Sequence, residues 1–109
     1  MTNLIFRYYI RSDNPRFKHV AIVRRGRRVI GIGWNTGWNH AERDAIRGIR
    51  NQELLKGSTL YSYRVSNSMH LRNAKPCPRC EALIRSVGIS KVVYSGPNGE
   101  EKEYAIEAA

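Results

Sequence analysis

The chain has 109 residues, 41% of them hydrophobic and 26% charged, with a net charge of +10. That length and balance suit one soluble globular domain, residues 1–109, with a single modest core. No apolar run approaches the ~18 residues of a membrane span, and the N-terminus lacks the order of a signal peptide, so a cytoplasmic protein without membrane contact is expected.

Leu4 to Arg11 reads as a short helix with an apolar stripe of Leu4, Ile5, Tyr8 and Tyr9, ended by Asn14-Pro15. Val20 to Arg24 reads as a strand. Arg25-Gly26 is a turn, and Arg28 to Ile32 is a second strand antiparallel to the first. Gly31, Gly33 and Gly37 are expected to break regular structure around Trp34-Asn35-Thr36. Asn39 is a suitable cap for a helix over Ala41 to Arg50, whose buried stripe is Ala41, Ala45, Ile46 and Ile49. Lys56-Gly57 ends that segment.

Thr59 to Val65 is rich in β-formers and reads as a third strand. Ser66 to Lys75 is polar and reads as a loop. Pro76 to Val87 reads as a second long helix, with Leu83, Ile84 and Val87 inward and Gly88 as its stop. Lys91 to Tyr94 is a fourth strand. After the turn Gly96-Pro97-Asn98-Gly99, Glu101 to Ile106 is a fifth strand or a frayed tail. The order β-β-α-β-α-β predicts an α/β fold, a three-layer α/β/α domain on a mixed sheet of four to five strands.

Charge is unevenly distributed. Residues 1–91 carry 18 Lys and Arg against Asp13, Glu42, Asp44, Glu53 and Glu81, while the last 18 residues carry Lys102 against four glutamates. A basic body attracts anions, either free nucleotides or nucleic acid, or is simply a solvated surface.

Both cysteines of the chain fall in Pro76-Cys77-Pro78-Arg79-Cys80, and His40-Ala41-Glu42 lies upstream. Together they spell H-x-E … P-C-x-x-C, the pattern of zinc-dependent nucleobase deaminases. Each half alone has a duller reading, as a redox pair or as a helix start; the conjunction at two helix starts is what points to metal. A helix N-terminus favours thiolate, the species zinc binds, and Cys77 and Cys80 at i, i+3 share one face. His40, Cys77 and Cys80 as ligands of one Zn2+ per chain leave the fourth tetrahedral position to water, as in catalytic rather than structural sites. Glu42 is then the catalytic proton carrier. His19, before a strand, is read as a surface residue, and His70 as part of a solvated loop.

From about Val20 to Ser95 the chain resembles the cytidine/deoxycytidylate deaminase superfamily. Ile30-Gly31-Ile32-Gly33-Trp34-Asn35-Thr36 is similar to the segment that precedes the metal histidine in the deoxycytidylate branch. Cys77 to Ile84 with Gly88 to Ser95 is similar to the cysteine helix and the following strand. The resemblance implies zinc ligation by His40, Cys77 and Cys80, proton transfer by Glu42, and contact of Asn35 with the substrate sugar. It departs at Ser66 to Lys75, about ten polar residues where the family often has a short Glu-Pro-Cys turn, with Lys75 in place of that glutamate. The chain also ends soon after its fourth strand, where larger relatives carry helices that close the pocket. Short specificity elements are therefore expected.

Candidate substrate contacts are Asn35, Trp38, Ala41, Arg72 and Asn73. Arg72 and Lys75 suit a phosphate, Asn73 a base or sugar, and Trp38 and His70 offer stacking faces. The Arg24-Arg25-Gly26-Arg27-Arg28 tip suits a phosphate backbone or mere solvation. The first expectation is a hydrolase of nucleotide metabolism that converts the cytosine of a nucleoside or nucleotide to uracil with release of ammonia. Two alternatives stay open: a base deaminase of single-stranded DNA or RNA, and a non-catalytic zinc-stabilised nucleic-acid-binding module. Homo-oligomers are in keeping with the short core.

Overall fold

Among the described residues of the computed structural model (2–13, 17–37 and 39–107), six strands form one mixed sheet and helices cover both faces. Strand β1 is Phe17–Arg25, β2 Arg28–Trp34, β3 Thr59–Ser66, β4 Leu71–Arg72, β5 Lys91–Ser95 and β6 Glu101–Ala105. Helix α1 is Thr2–Tyr8, α2 Ala41–Arg47 and α3 Pro78–Ser86, with 3-10 turns at Tyr9–Arg11 and Gln52–Leu55. The strand order is β2-β1-β3-β5-β6, with β4 also on β3. β3 and β5 are parallel and joined through α3; the other pairs are antiparallel. The expected α/β/α layering is present. The C-terminal segment is a full strand on β5 rather than a frayed tail. The proline expected to end the first helix, Pro15, lies outside the described residues.

Period-two alternation divides the strand residues between two apolar layers. Val20 and Ile22 with Tyr61, Tyr63 and Val65 pack against Ile5 of α1. Ala21, Val23, Leu60 and Val92 face the other way and meet Ala41, Ala45 and Ile46 of α2 and Ile84 of α3. This second layer carries the candidate site.

Gly31 and Gly33 do not break structure; they are residues of β2, which continues to Trp34. A Cβ on Gly33 would sit 2.3 Å from the Ala45 nitrogen and 2.5 Å from the Ala41 carbonyl oxygen. The missing side chain is what lets α2 lie directly on β2. The N-cap of α2 is His40 rather than Asn39, whose amide instead donates to Asp44 Oδ1 at 3.3 Å. α2 also ends at Arg47, short of the expected Arg50. Gly48 caps it, and Asn51 starts the next turn by accepting from the Glu53 N–H at 3.2 Å.

The segment Ser66 to Lys75 is not wholly irregular. Met69, at φ 65°, turns the chain so that Leu71 and Arg72 pair with Val65 and Arg64. There is room for β4 because β5 pairs with β3 only from Thr59 to Ser62. Buried Ser95 joins the junction: its Oγ donates to the Arg72 carbonyl at 2.6 Å and accepts from the Arg64 N–H at 3.3 Å. α3 starts at Pro78, two residues later than expected, with Cys77 as N-cap. The left-handed Gly88, φ 86°, follows its end.

Candidate functional site

β2 and β3 are both antiparallel to β1, so they run towards the same end of the sheet. The helices that follow them, α2 and α3, consequently begin at that end. His40 and Cys77 are the N-caps of these helices, and neither side chain makes a capping bond. Both are left to face each other across the gap between the helix starts.

The metal-binding atoms of His40, Cys77 and Cys80 lie within 4.8 Å of one another. His40 Nδ1 is 3.3 Å from Cys80 Sγ and 3.8 Å from Cys77 Sγ. A tetrahedral zinc with Zn–S of ~2.3 Å and Zn–N of ~2.0 Å requires an N···S separation of about 3.5 Å. The two distances bracket that value, and both place Nδ1 rather than Nε2 towards the thiols. The donor set therefore fits one zinc, with no fourth His, Cys or carboxylate ligand in the group among the described residues. Burial pushes the Cys80 thiol well up, and the neighbouring Glu42 charge pushes the same way. The helix N-terminus, expected to lower thiol pKa, does not outweigh these effects for Cys80. A dication among the three groups reverses that balance, since a coordinated thiol is deprotonated outright.

Glu42, in the first turn of α2, is only 1% exposed. Its Oε1 is buried without a hydrogen-bond partner among the described residues. Facing it is His19, which was expected at the surface and is instead 5% exposed. His19 Nδ1 lies 3.5 Å from Glu42 Oε1, and His19 Nε2 lies 2.6 Å from Ser62 Oγ. The Ser62 hydroxyl donates to the Ala74 carbonyl at 2.8 Å. Its one hydrogen is thereby used, so Ser62 Oγ accepts from His19 Nε2–H. Burial lowers the His19 pKa from 6.5 to about 4, with Glu42 opposing and Arg64 adding to the fall. The ring is therefore neutral at pH 7 and presents the bare Nδ1 lone pair to Glu42.

The other expected site residues are less concentrated. Ala41 is buried at the start of α2, between His40 and Glu42 in the chain. Asn35 is tied to β1: its Oδ1 accepts from the His19 N–H at 2.9 Å, and its Nδ2 donates to the Phe17 carbonyl at 3.2 Å. Arg72 is exposed on β4, and exposed Asn73 accepts from the Lys75 N–H at 3.3 Å. His70 is exposed in the β3–β4 turn beside Ser66 and Ser68. Trp38 lies outside the described residues. The Arg24–Arg28 tip is at the far end of β1, six residues or roughly 20 Å from His19. There Arg25 donates to the Leu54 carbonyl at 3.0 Å and also to that of Lys56, while Arg24 stacks on Tyr61. The tip thus does structural work remote from Glu42.

His19 and Ser62 escaped the sequence reading. The signal was alternation: His19 shares the inward phase of Ala21 and Val23, and Ser62 that of Leu60. A strand taken to begin at Val20 hides the first, and Ser62 has no chemistry of its own until its neighbours are known.

The sequence profile of the family described as "Cytidine and deoxycytidylate deaminase zinc-binding region" matches residues 7–96. No curated protein sequence matches significantly. Among solved structures, the chain is similar to a cytidine deaminase from Burkholderia pseudomallei, at 17% identity and TM-score 0.73 over 95% of this chain and 88% of that one. It is also similar to a dCMP deaminase from cyanophage S-TIM5, at 25% identity and TM-score 0.52 over 72% of this chain and 66% of that one. Acinetobacter baumannii RibD matches at 23% identity and TM-score 0.53 over 72% of this chain, which spans only 21% of RibD. No helix of the described residues is long and apolar enough to cross a membrane.

Proposed function

The chain belongs to the cytidine and deoxycytidylate deaminase zinc-binding family, and from that premise we propose that it hydrolyses the cytosine base of a nucleoside or nucleotide to uracil with release of ammonia. One observation supports this above the rest. Glu42 Oε1 is buried with no hydrogen-bond partner among the described residues, and the Glu42 charge acts on Cys80 of the His40, Cys77 and Cys80 donor set. A structural zinc site has no need of such a carboxylate.

In this reading His40 through Nδ1, and Cys77 and Cys80 through their sulfurs, hold the zinc. Bound zinc acidifies water and supplies a nucleophile at neutral pH. Glu42 accepts the proton of the attacking water, passes it to the ring nitrogen of cytosine and returns a second proton to the departing amine. Its burial keeps bulk water from competing for those protons. His19 is a positioning residue. Its Nδ1 lone pair accepts a hydrogen bond from Glu42 whenever Oε1 carries a proton, which holds the carboxyl in one orientation.

A screen for ammonia release by the zinc-loaded protein tests the proposal. Its substrates are cytidine, deoxycytidine, their monophosphates, guanine, single-stranded DNA and tRNA. Uracil formed from a free nucleoside or nucleotide supports it; turnover of guanine alone, or of nothing, sinks it. The net charge of +10 favours a second reading, base deamination in single-stranded DNA or RNA. That reading requires uracil only in the polynucleotide and activity falling steeply with salt.

A further inference from the structure

A metal-binding histidine is ordinarily oriented by a hydrogen-bond partner on its other ring nitrogen. His40 lacks one. Among the described residues its imidazole has no hydrogen-bond partner but the two thiols, and both lie at Nδ1. Nor does it make a capping bond, although it is the N-cap of α2. The direction of the ring is therefore left to the main chain, which reaches His40 through the loop after Trp34.

One carboxylate closes that loop. Asp44 Oδ2 accepts from the Trp34 N–H at 3.1 Å, and Asp44 Oδ1 accepts from Asn39 Nδ2 at 3.3 Å. Trp34 is the last residue of β2, and Asn39 immediately precedes His40. The two oxygens thus hold the beginning and the end of the same loop. Between these points Thr36 and Asn39 exchange both backbone hydrogen bonds, at 3.2 and 2.8 Å. Asp44 is half-buried in the first turn of α2, where its own N–H donates to the His40 carbonyl at 3.0 Å.

Other bonds tie the loop to different elements. Asn35 is bound to β1, and both Asp13 oxygens accept from the Gly37 N–H. Among the described residues, only Asp44 joins the loop by side-chain hydrogen bonds to α2, the helix that carries His40 at its cap and Glu42 in its first turn. A carboxylate suits this place because two N–H donors converge on it, and bonds to an ionised acceptor are about twice as strong as neutral ones. An amide in its place would turn an NH2 group towards one of those donors.

We propose that Asp44 is a positioning residue of the metal centre: by pinning Trp34 and Asn39 it fixes the main chain at His40, and with it the presentation of Nδ1 to the metal. The inference rests on zinc ligation by His40, Cys77 and Cys80, and is independent of which substrate is deaminated.

The test measures zinc affinity by competition with a chromophoric chelator, for wild type, Asp44→Asn, Asn39→Ala and the double variant. Each is measured well below its melting temperature, so that only folded protein is compared. Asp44→Asn should raise the zinc Kd by about tenfold or more, the scale on which losing an outer partner weakens a metal site. Asn39→Ala leaves the Trp34 bond intact and should raise it by a smaller factor. The double variant should match Asp44→Asn, because groups that act through one network are not additive. A purely structural role would lower the melting temperature of the metal-free protein and leave the Kd alone. A Kd for Asp44→Asn within about twofold of wild type, or effects that multiply in the double variant, would overturn the inference. Should Asp44→Asn fail to fold, Asn39→Ala decides, and an unchanged Kd there overturns it as well. If wild type itself binds no zinc, the metal site fails first and this inference falls with it.

Discussion

His19 Nδ1 faces Glu42 Oε1 at 3.5 Å, with both side chains buried, on a strand and a helix 23 residues apart in the chain. The orientation of the ring follows from a fixed chain of donors. The Ala74 carbonyl can only accept, Ser62 therefore donates to it, and His19 must donate to Ser62 through Nε2. The nitrogen left towards Glu42 has a lone pair and no proton. Because Ala74 lies three residues before Cys77, the same chain also ties the ring that faces Glu42 to the loop that delivers the metal-binding sulfurs.

Replacing His19 with Ala should lower kcat by about tenfold while KM changes little, since a group that orients the proton carrier acts in the transition state. His19→Gln, which keeps a donor for Ser62, should recover part of the loss. Steady-state kinetics on the two variants check this, and a loss confined to KM would argue against a positioning role.

The buried imidazole also makes stability depend on pH. Its folded pKa of about 4 lies below the ordinary 6.5, so the unfolded chain binds the proton more readily. Stability is therefore full above about pH 6.5 and declines as pH falls towards 4, by roughly 3 kcal/mol in total at ~1.4 kcal/mol per pH unit. Denaturant titrations in chelator between pH 4 and 7 should give a smaller decline for His19→Gln than for wild type. Parallel curves would refute the assignment.

Zinc and turnover should separate between two variants. Cys77→Ala is expected to lose zinc and melt earlier, because metal binding contributes to folding free energy. Glu42→Ala should keep its zinc, measured by atomic emission, while turnover falls by about 10³-fold, within the range for a general acid–base group. If Glu42→Ala retained full turnover, the proton-carrier role would be wrong.

Gly33→Ala should be far more damaging than its single added methyl suggests. The Cβ meets backbone atoms of Ala41 and Ala45 rather than a yielding side chain. A loss of about 1–3 kcal/mol is expected, the usual cost of overpacking, with weaker zinc binding because α2 carries His40 at its cap. Thermal unfolding and zinc titration measure both effects. An unchanged melting temperature would mean that α2 does not lie on β2 as described.

Much of the site was legible in the linear chain because its chemistry is local. Cys77 and Cys80 share a helix face by spacing alone, and His40 and Glu42 flank one residue at a helix start. The strands and helices were legible for the same reason, from alternation and from turn residues. Boundaries were less so: α2 stopped early at Gly48, and β2 ran on through glycines that looked like breaks.

Sequence by itself thus determined the two halves of the donor set, the candidate proton carrier beside one of them and the layered fold, since each half lies within one helical turn and each strand or helix carries its own pattern. Tertiary structure alone decided that His19 is buried against Glu42 and that Arg64 and Arg72 are cross-strand partners. Both facts depend on the register in which β1 and β4 pair with β3. A slip of one residue would send each of these side chains to the opposite face, and no local pattern in the chain records which register the packed core selects.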